Sequence, residues 1–222
     1  DDDEAVVWGN GEGDFQQTFI VFDIETTGLS PKKNQITEIG AVKIEKGEIV
    51  DRFNSLVNPE CPIPLKITEL TGITDVMVKD APKINEIIPM FLDFCGKGVL
   101  VAHNAKFDVS FIRNKAKKLG MEIDNTIIDT LAFSRMCVPK LKKHRLNDLA
   151  KHFHVSLENH HRAVDDAEAT AEIFLELVKI SIEKGAENIK DLNSIFRNKE
   201  AIKKMDTYHV ILLVKNQVGL KN

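Results

Sequence analysis

Two carboxylates stand two residues apart at the end of an apolar run, in Phe19-Ile20-Val21-Phe22-Asp23-Ile24-Glu25-Thr26-Thr27-Gly28. In a β-strand residues i and i+2 share a face, so Asp23 and Glu25 project together from the strand's end. Like charges held that close repel unless a cation lies between them, and the chain offers no Lys or Arg before Lys32. A divalent metal with oxygen ligands answers that need. A strand that simply runs out into acidic turn residues would use the same letters.

A third carboxylate comes from Val101-Ala102-His103-Asn104-Ala105-Lys106-Phe107-Asp108, where a strand ends and a helix begins with Asn104 as the expected N-cap. Helical spacing from Asp108 runs through Phe111/Ile112, Lys115/Ala116 and Leu119, so Asp108 tops the core-facing stripe. A carboxylate there is expensive to ionise unless it is paired or binds a metal.

A fourth lies in His160-His161-Arg162-Ala163-Val164-Asp165-Asp166-Ala167-Glu168, which offers two His–Asp pairs at equal spacing. From Asp165 the helical stripe reads Glu168, Glu172, Glu176, Lys179; from Asp166 it reads Thr170, Ile173, Leu177, Ile180. Asp166 is therefore the inward carboxylate and Asp165 a surface charge. His161, five residues before Asp166 in the preceding loop, comes near it without sharing its helix. Four inward carboxylates on three elements plus one histidine suit phosphodiester hydrolysis with two divalent ions. Hard cations take carboxylate oxygens, and a histidine can accept a proton from water near neutral pH.

The elements that must hold these groups show in the hydrophobic pattern. The first strand covers about 18–25. Runs at 36–46 and 49–57 form a hairpin around Lys46-Gly47-Glu48. A proline-studded loop (58–64) precedes a short helix at 65–70, a turn at 71–74 and a helix over 83–95. A buried strand at 98–102 leads into a helix over 105–119 closed by Gly120. A strand at 126–129, a helix to 137, a helix over 146–153 and a last helix over 163–184 complete the order. Strands followed by alternating helices and strands imply a mixed α/β sheet covered by helices. Residues 1–17, acidic and Gly-rich, are expected to be a loose lead-in, and 185–222 a charged linker with a separate tail.

The 222 residues carry 30 basic and 34 acidic side chains, a net charge of −4. That balance argues against gripping nucleic acid by global charge, though Lys140, Lys142, Lys143, His144 and Arg145 form a local basic patch. No run reaches a membrane span, the acidic start does not resemble a signal peptide, and opening on Asp1 suits a piece of a longer chain. Cys61, Cys95 and Cys137 lack metal or disulfide spacing, as expected of reduced thiols in the cytoplasm.

FDIETTG, HNAKFD and HRAVDDAEAT together resemble the DEDDh 3′–5′ exonucleases, the family of proofreading subunits, RNase T and oligoribonuclease, over roughly residues 18–180; TELTGIT and VNPECPIP are similar to family loops. The resemblance implies a ribonuclease H-like mixed sheet. It implies that Asp23, Glu25 and Asp166 hold one Mg²⁺ or Mn²⁺ with the nucleophilic water, that Asp23 and Asp108 hold a second, and that His161 is the general base. It further implies that Thr26, Thr27, Gly28, Leu29, Thr71, Gly72 and Asn104 contact the terminal nucleotide; ordinary turn and capping chemistry would use the same residue types. Both ends resemble the PHP-domain segments flanking the exonuclease of PolC-type polymerase III α subunits. On that reading 18–184 is a proofreading domain, and its partners are a single-stranded DNA 3′ end and the rest of a replicative polymerase, with no membrane. The same motifs also suit an RNA 3′–5′ exonuclease or a non-catalytic nucleic-acid-binding module.

Overall fold

A computed structural model describes residues 5–195. Their strands form one sheet in the order β1-β6-β5-β2-β3-β4: β1 (Val7–Trp8), β6 (Ile127–Asp129), β5 (Val99–Ala102), β2 (Phe19–Thr26), β3 (Ile36–Glu45) and β4 (Glu48–Leu56). β2 runs parallel to β5 and antiparallel to β3. This is the mixed α/β sheet the pattern predicts. The β3–β4 turn places both Lys46 and Gly47 at positive φ, which matches the twist of a tight hairpin.

The apolar run of β2 is continuous because both faces are covered. Phe19 and Val21 join a core with Phe133, Phe174 and Leu177, on α5 (Thr130–Cys137) and α7 (Ala163–Glu183). Ile20, Phe22 and Ile24 join a second core with Phe91 and Phe111, on α3 (Ile84–Cys95) and α4 (Ala105–Lys118). α1 (Leu65–Thr71) and the short α2 (Asp75–Val78), which follows the expected turn at 71–74, pack a small satellite core of Ile63, Ile73 and Val78. α6 (Leu146–Phe153) lies against α7. Among the described residues no helix is long and apolar enough to cross a membrane.

The lead-in is not loose throughout. Val7 and Trp8 pair antiparallel with Ile128 and Ile127, and Val6, Val7 and Phe15 are buried in the first core. A 3-10 helix at Ile189–Asn193 buries Ile189 and Leu192 in that core. The Asn193 side chain accepts the Val6 and Val7 amides and donates to the Val7 carbonyl. These segments lack a long hydrophobic period, so periodicity alone assigned them to flanks. The tail at 205–222 lies outside the described residues.

Candidate active site

Alternation along β2 decides where its carboxylates point. Phe19 and Val21 face α7, and Asp23 and Glu25 continue that face beyond the apolar packing. Asp166, buried in the first turn of α7, meets them there. Oxygen atoms of Asp23, Glu25 and Asp166 lie within 4.8 Å of one another. Asp23 Oδ2 is sealed from solvent with no hydrogen-bond partner. Buried polar atoms are nearly always paired, so an orphan carboxylate oxygen facing two more carboxylates is what a cation ligand looks like. The all-oxygen donor set fits a hard divalent ion such as Mg²⁺ or Mn²⁺.

The electrostatics agree. Burial, followed by the charges of Asp108, Glu25, Asp166 and Glu38, holds the Asp23 carboxyl well above the usual range. Burial and the charges of Asp166, Glu38 and Asp108 push Glu25 up to about 9. Asp166 is raised mainly by burial, against the opposing influence of His160. Without a cation this cluster favours protons over charge.

Asp108 stands on the first turn of α4, where Oδ1 accepts the Ile24 amide at 3.2 Å. That bond ties the third element to the middle of the Asp23-Ile24-Glu25 step; burial raises Asp108 strongly. Asn104 does not cap α4 through its side chain: its backbone is left-handed, at φ 61°. The Asp129 carboxylate caps instead, accepting the Asn104, Ala105 and Leu131 amides. β6 runs parallel to β5 with Asp129 opposite Ala102, so one carboxylate at the strand ends serves two helix starts.

Both histidines reach Asp166, in different ways. His160 Nδ1 is 2.9 Å from Asp166 Oδ1, whereas His161 donates its backbone amide to Oδ2. The two rings stack at 3.8 Å. No hydrogen bond to a His161 ring nitrogen occurs among the described residues, and burial and His160 hold its pKa down. His160 thus supports the carboxylate, a role helical spacing could not assign, while the ring of His161 keeps its nitrogens available.

The loop after β2 uses its side chains internally. Thr26 donates to the Gly28 carbonyl at 2.6 Å, and Thr27 Oγ1 accepts the Gln35 amide. A Cβ at Gly28 would overlap Asn34. Leu29 projects from this turn 84% exposed. Lys115, buried on the Asp108 stripe of α4, donates to the Asn34 carbonyl at 2.8 Å and to Gln35 Oε1 at 2.9 Å, pinning the loop from beneath. Thr71 bonds the Ile67 carbonyl and the Ile73 amide, and Gly72 ends α1 at φ 74°; both serve the α1 turn. In the basic segment, His144 is engaged by Ser134 and the Leu141 carbonyl, and Arg145 pairs with Asp148. Lys140, Lys142 and Lys143 line an open depression with Lys151 and His152.

Glu38 was passed over in the sequence as part of the β3 run, although a Glu within apolar ITEIGAV is itself a signal. It is buried and paired with Arg162, whose Nη2 lies 2.8 Å from Oε2. His103 was likewise unassigned: it bridges Thr130 and the His144 carbonyl, and burial pushes its pKa down to about 4, so it is neutral.

A family model described as Exonuclease, of the RNase T type, matches residues 20–174. The chain is 52% identical over its full length to a DNA polymerase III PolC-type of Caldanaerobacter subterraneus subsp. tengcongensis, of which it spans 16%. It is 44% identical over 93% of its length to the PolC-type polymerase of Bacillus subtilis, spanning 14% of that protein. Exonuclease X in complex with 5′ overhanging duplex DNA superposes with a TM-score of 0.65 at 27% identity, covering 80% of this chain and 99% of that one. E. coli exonuclease I in complex with a dA16 oligonucleotide gives a TM-score of 0.64 at 19% identity, covering 74% of this chain and 41% of that one.

Proposed function

The chain belongs to the RNase T-type exonuclease family, a 3′–5′ exonuclease by class, and from that premise we propose that it removes 5′-mononucleotides from the 3′ end of single-stranded DNA as the proofreading domain of a replicative polymerase. The observation that carries the reading is the orphaned Asp23 oxygen within a cluster with Glu25 and Asp166. Asp23, Glu25 and Asp166 would hold one Mg²⁺ or Mn²⁺, and Asp23 with Asp108 a second. Bound there, the ions would activate water and stabilise the oxygens that gain charge during displacement.

The chain's own residues do the remainder. His161, with unbonded ring nitrogens and a lowered pKa, is the base that takes the proton from the attacking water. His160 orients Asp166. The Thr26-Thr27-Gly28 turn, held by Gln35 and Lys115, presents Leu29 as an apolar wedge against the terminal base. Thr71, Gly72 and Asn104 complete the nucleotide contacts, and the lysines at 140, 142 and 143 draw the phosphate backbone toward an otherwise acidic site. The PolC likeness over the whole chain supports DNA as substrate, the remainder of a polymerase as partner and the cytoplasm as its place. We read 18–184 as the exonuclease and the flanks as PHP-domain segments, of which β1 and the 3-10 helix at Ile189–Asn193 dock on the exonuclease sheet and core.

The test is a time course on 5′-labelled single-stranded DNA and on RNA of the same sequence, with Mg²⁺ or Mn²⁺, against EDTA and Asp23→Ala. A metal-dependent ladder shortening from the DNA 3′ end, absent in the variant, is expected. Preferential loss of RNA would reassign the substrate. Wild type and Asp23→Ala equally inert, yet both binding DNA, would make this a binding module.

A further inference from the structure

Glu38 is a fifth carboxylate at the site, and it is handled unlike the other four. It is 1% exposed, yet its oxygens are fully engaged. Arg162 donates to them through Nε and Nη2, and the Ala163 amide donates to Oε1 at 2.6 Å. Ala163 is the first residue of α7, so Glu38 caps that helix from the neighbouring strand while a cation cancels its charge.

The register shows what this cap positions. On β3, Glu38 is the direct partner of Glu25, and Gly40 the direct partner of Asp23. Both β3 residues touch the start of α7: Glu38 through its carboxylate, Gly40 by lacking a side chain. A Cβ at Gly40 would overlap the backbone of Ala163 and Val164. The two β3 residues beside the two β2 carboxylates therefore form the seat of the helix that brings Asp166. His161 lies just ahead of the seat at φ 75°, an uncommon conformation for a non-glycine residue. It is held from one side by its amide on Asp166 and from the other by the anchored Arg162-Ala163 pair. Arg162 also feels the charge of Glu25, so an unpaired guanidinium here would compete for the oxygens a metal needs.

We propose that Glu38, Arg162 and Gly40 are positioning residues that set Asp166 and His161 against Asp23 and Glu25, and that Glu38 keeps Arg162 off the metal-binding carboxylates. This rests on the proposed function and adds three residues to it. Neither Glu38 nor Arg162 touches the reacting atoms in this scheme; each acts through α7 and its approach.

The experiment measures Mn²⁺ affinity without DNA, by the loss of the free-ion paramagnetic resonance signal, alongside kcat and KM on single-stranded DNA. Glu38→Gln keeps an acceptor for the Ala163 amide but frees Arg162. It is expected to weaken Mn²⁺ binding and lower kcat by roughly 10–100-fold, the range for partners that orient metal ligands, with KM little changed. Adding Arg162→Gln to Glu38→Gln removes the stray cation and should recover part of the Mn²⁺ affinity, a non-additivity that loss of fold would not give. Arg162→Gln alone, at a side chain 35% exposed, leaves the core closed and should by itself lower kcat about tenfold. Wild-type kcat in that variant overturns the proposal even if Glu38→Gln does not fold, as does a double variant no better than Glu38→Gln. A wild type that neither binds Mn²⁺ nor shortens DNA refutes the proposed function and this inference with it. A functional wild type with unaltered variants refutes the inference alone.

Discussion

Glu25→Gln gives a quantitative test of the charge arrangement. Burial and the surrounding carboxylates raise Glu25 from 4.5 to about 9. A folded-state pKa above the unfolded one makes the protonated form the stabilising one. Its contribution is complete below about pH 4.5 and is lost as the pH climbs through about 9. By pH 7.5 the unfolded chain has shed the proton over about three pH units that the folded site resists. At about 1.4 kcal/mol per unit this amounts to about 4 kcal/mol. For a domain of this size that is roughly 8–16 °C in Tm. In EDTA the wild-type melt should therefore fall steadily from pH 5 to pH 8, because Asp23, Asp108 and Asp166 are shifted in the same direction. Gln cannot ionise, so the variant should lose less over that window, and the difference between the two curves reports residue 25 together with its charge on Asp23. Mg²⁺ should raise the wild-type Tm most at the alkaline end, since it competes with protons for the same oxygens. A wild-type EDTA melt that rises with pH, or parallel curves for both proteins, would refute the reasoning.

Other expectations are simpler. Asp108→Asn and Asp166→Asn should abolish turnover while leaving the EDTA melt at pH 7.5 unchanged or higher, because each removes mutual repulsion; a drop of several degrees in both would show that these carboxylates stabilise the fold. His161→Ala should slow hydrolysis by roughly 10²–10⁴-fold, and in the wild type the acid limb of kcat/KM should lie below 6.5, since the His161 pKa is lowered from that value. A limb above 6.5 would point to another base. Asn193→Ala leaves the Val6 and Val7 amides and the Val7 carbonyl without their partner, so a loss of about 1–3 kcal/mol in chemical denaturation is expected; none would mean that β1 is held by the sheet alone.

What the sequence disclosed follows from which signals are local. The Asp23/Glu25 pair is legible because strand alternation is a two-residue rule, and Asp166 was separable from Asp165 because the helical stripe behind each differs. In the structure Asp166 is buried and Asp165 is half-buried. The division of labour between His160 and His161 was not legible, because it depends on how a left-handed turn at His161 aims two adjacent rings. The Asp129 cap was missed for a related reason: it reaches across parallel strands to Asn104, 25 residues away, whereas capping rules look within one helix. β1 and the 3-10 helix at Ile189–Asn193 were missed because they are short and meet only through Asn193 and the shared core.

The buried charges of this chain fall into two kinds, and the difference separates architecture from chemistry. Glu38 and Lys115 are buried, and their polar atoms are engaged: Glu38 by Arg162 and Ala163, Lys115 by loop oxygens. Each holds a segment the site depends on, the start of α7 in one case and the loop after β2 in the other. Asp23 and Glu25 are held close by their backbones with no ion pair to a side-chain cation among the described residues, and Asp23 Oδ2 has no hydrogen-bond partner. Desolvating a charge without a partner is costly enough that such an arrangement persists only where something outside the chain completes it. The satisfied charges make the frame rigid, and the unsatisfied ones define what it is built to receive. Moving Arg162 from Glu38 to Glu25 would strand a buried carboxylate under the start of α7 and fill the place a metal needs.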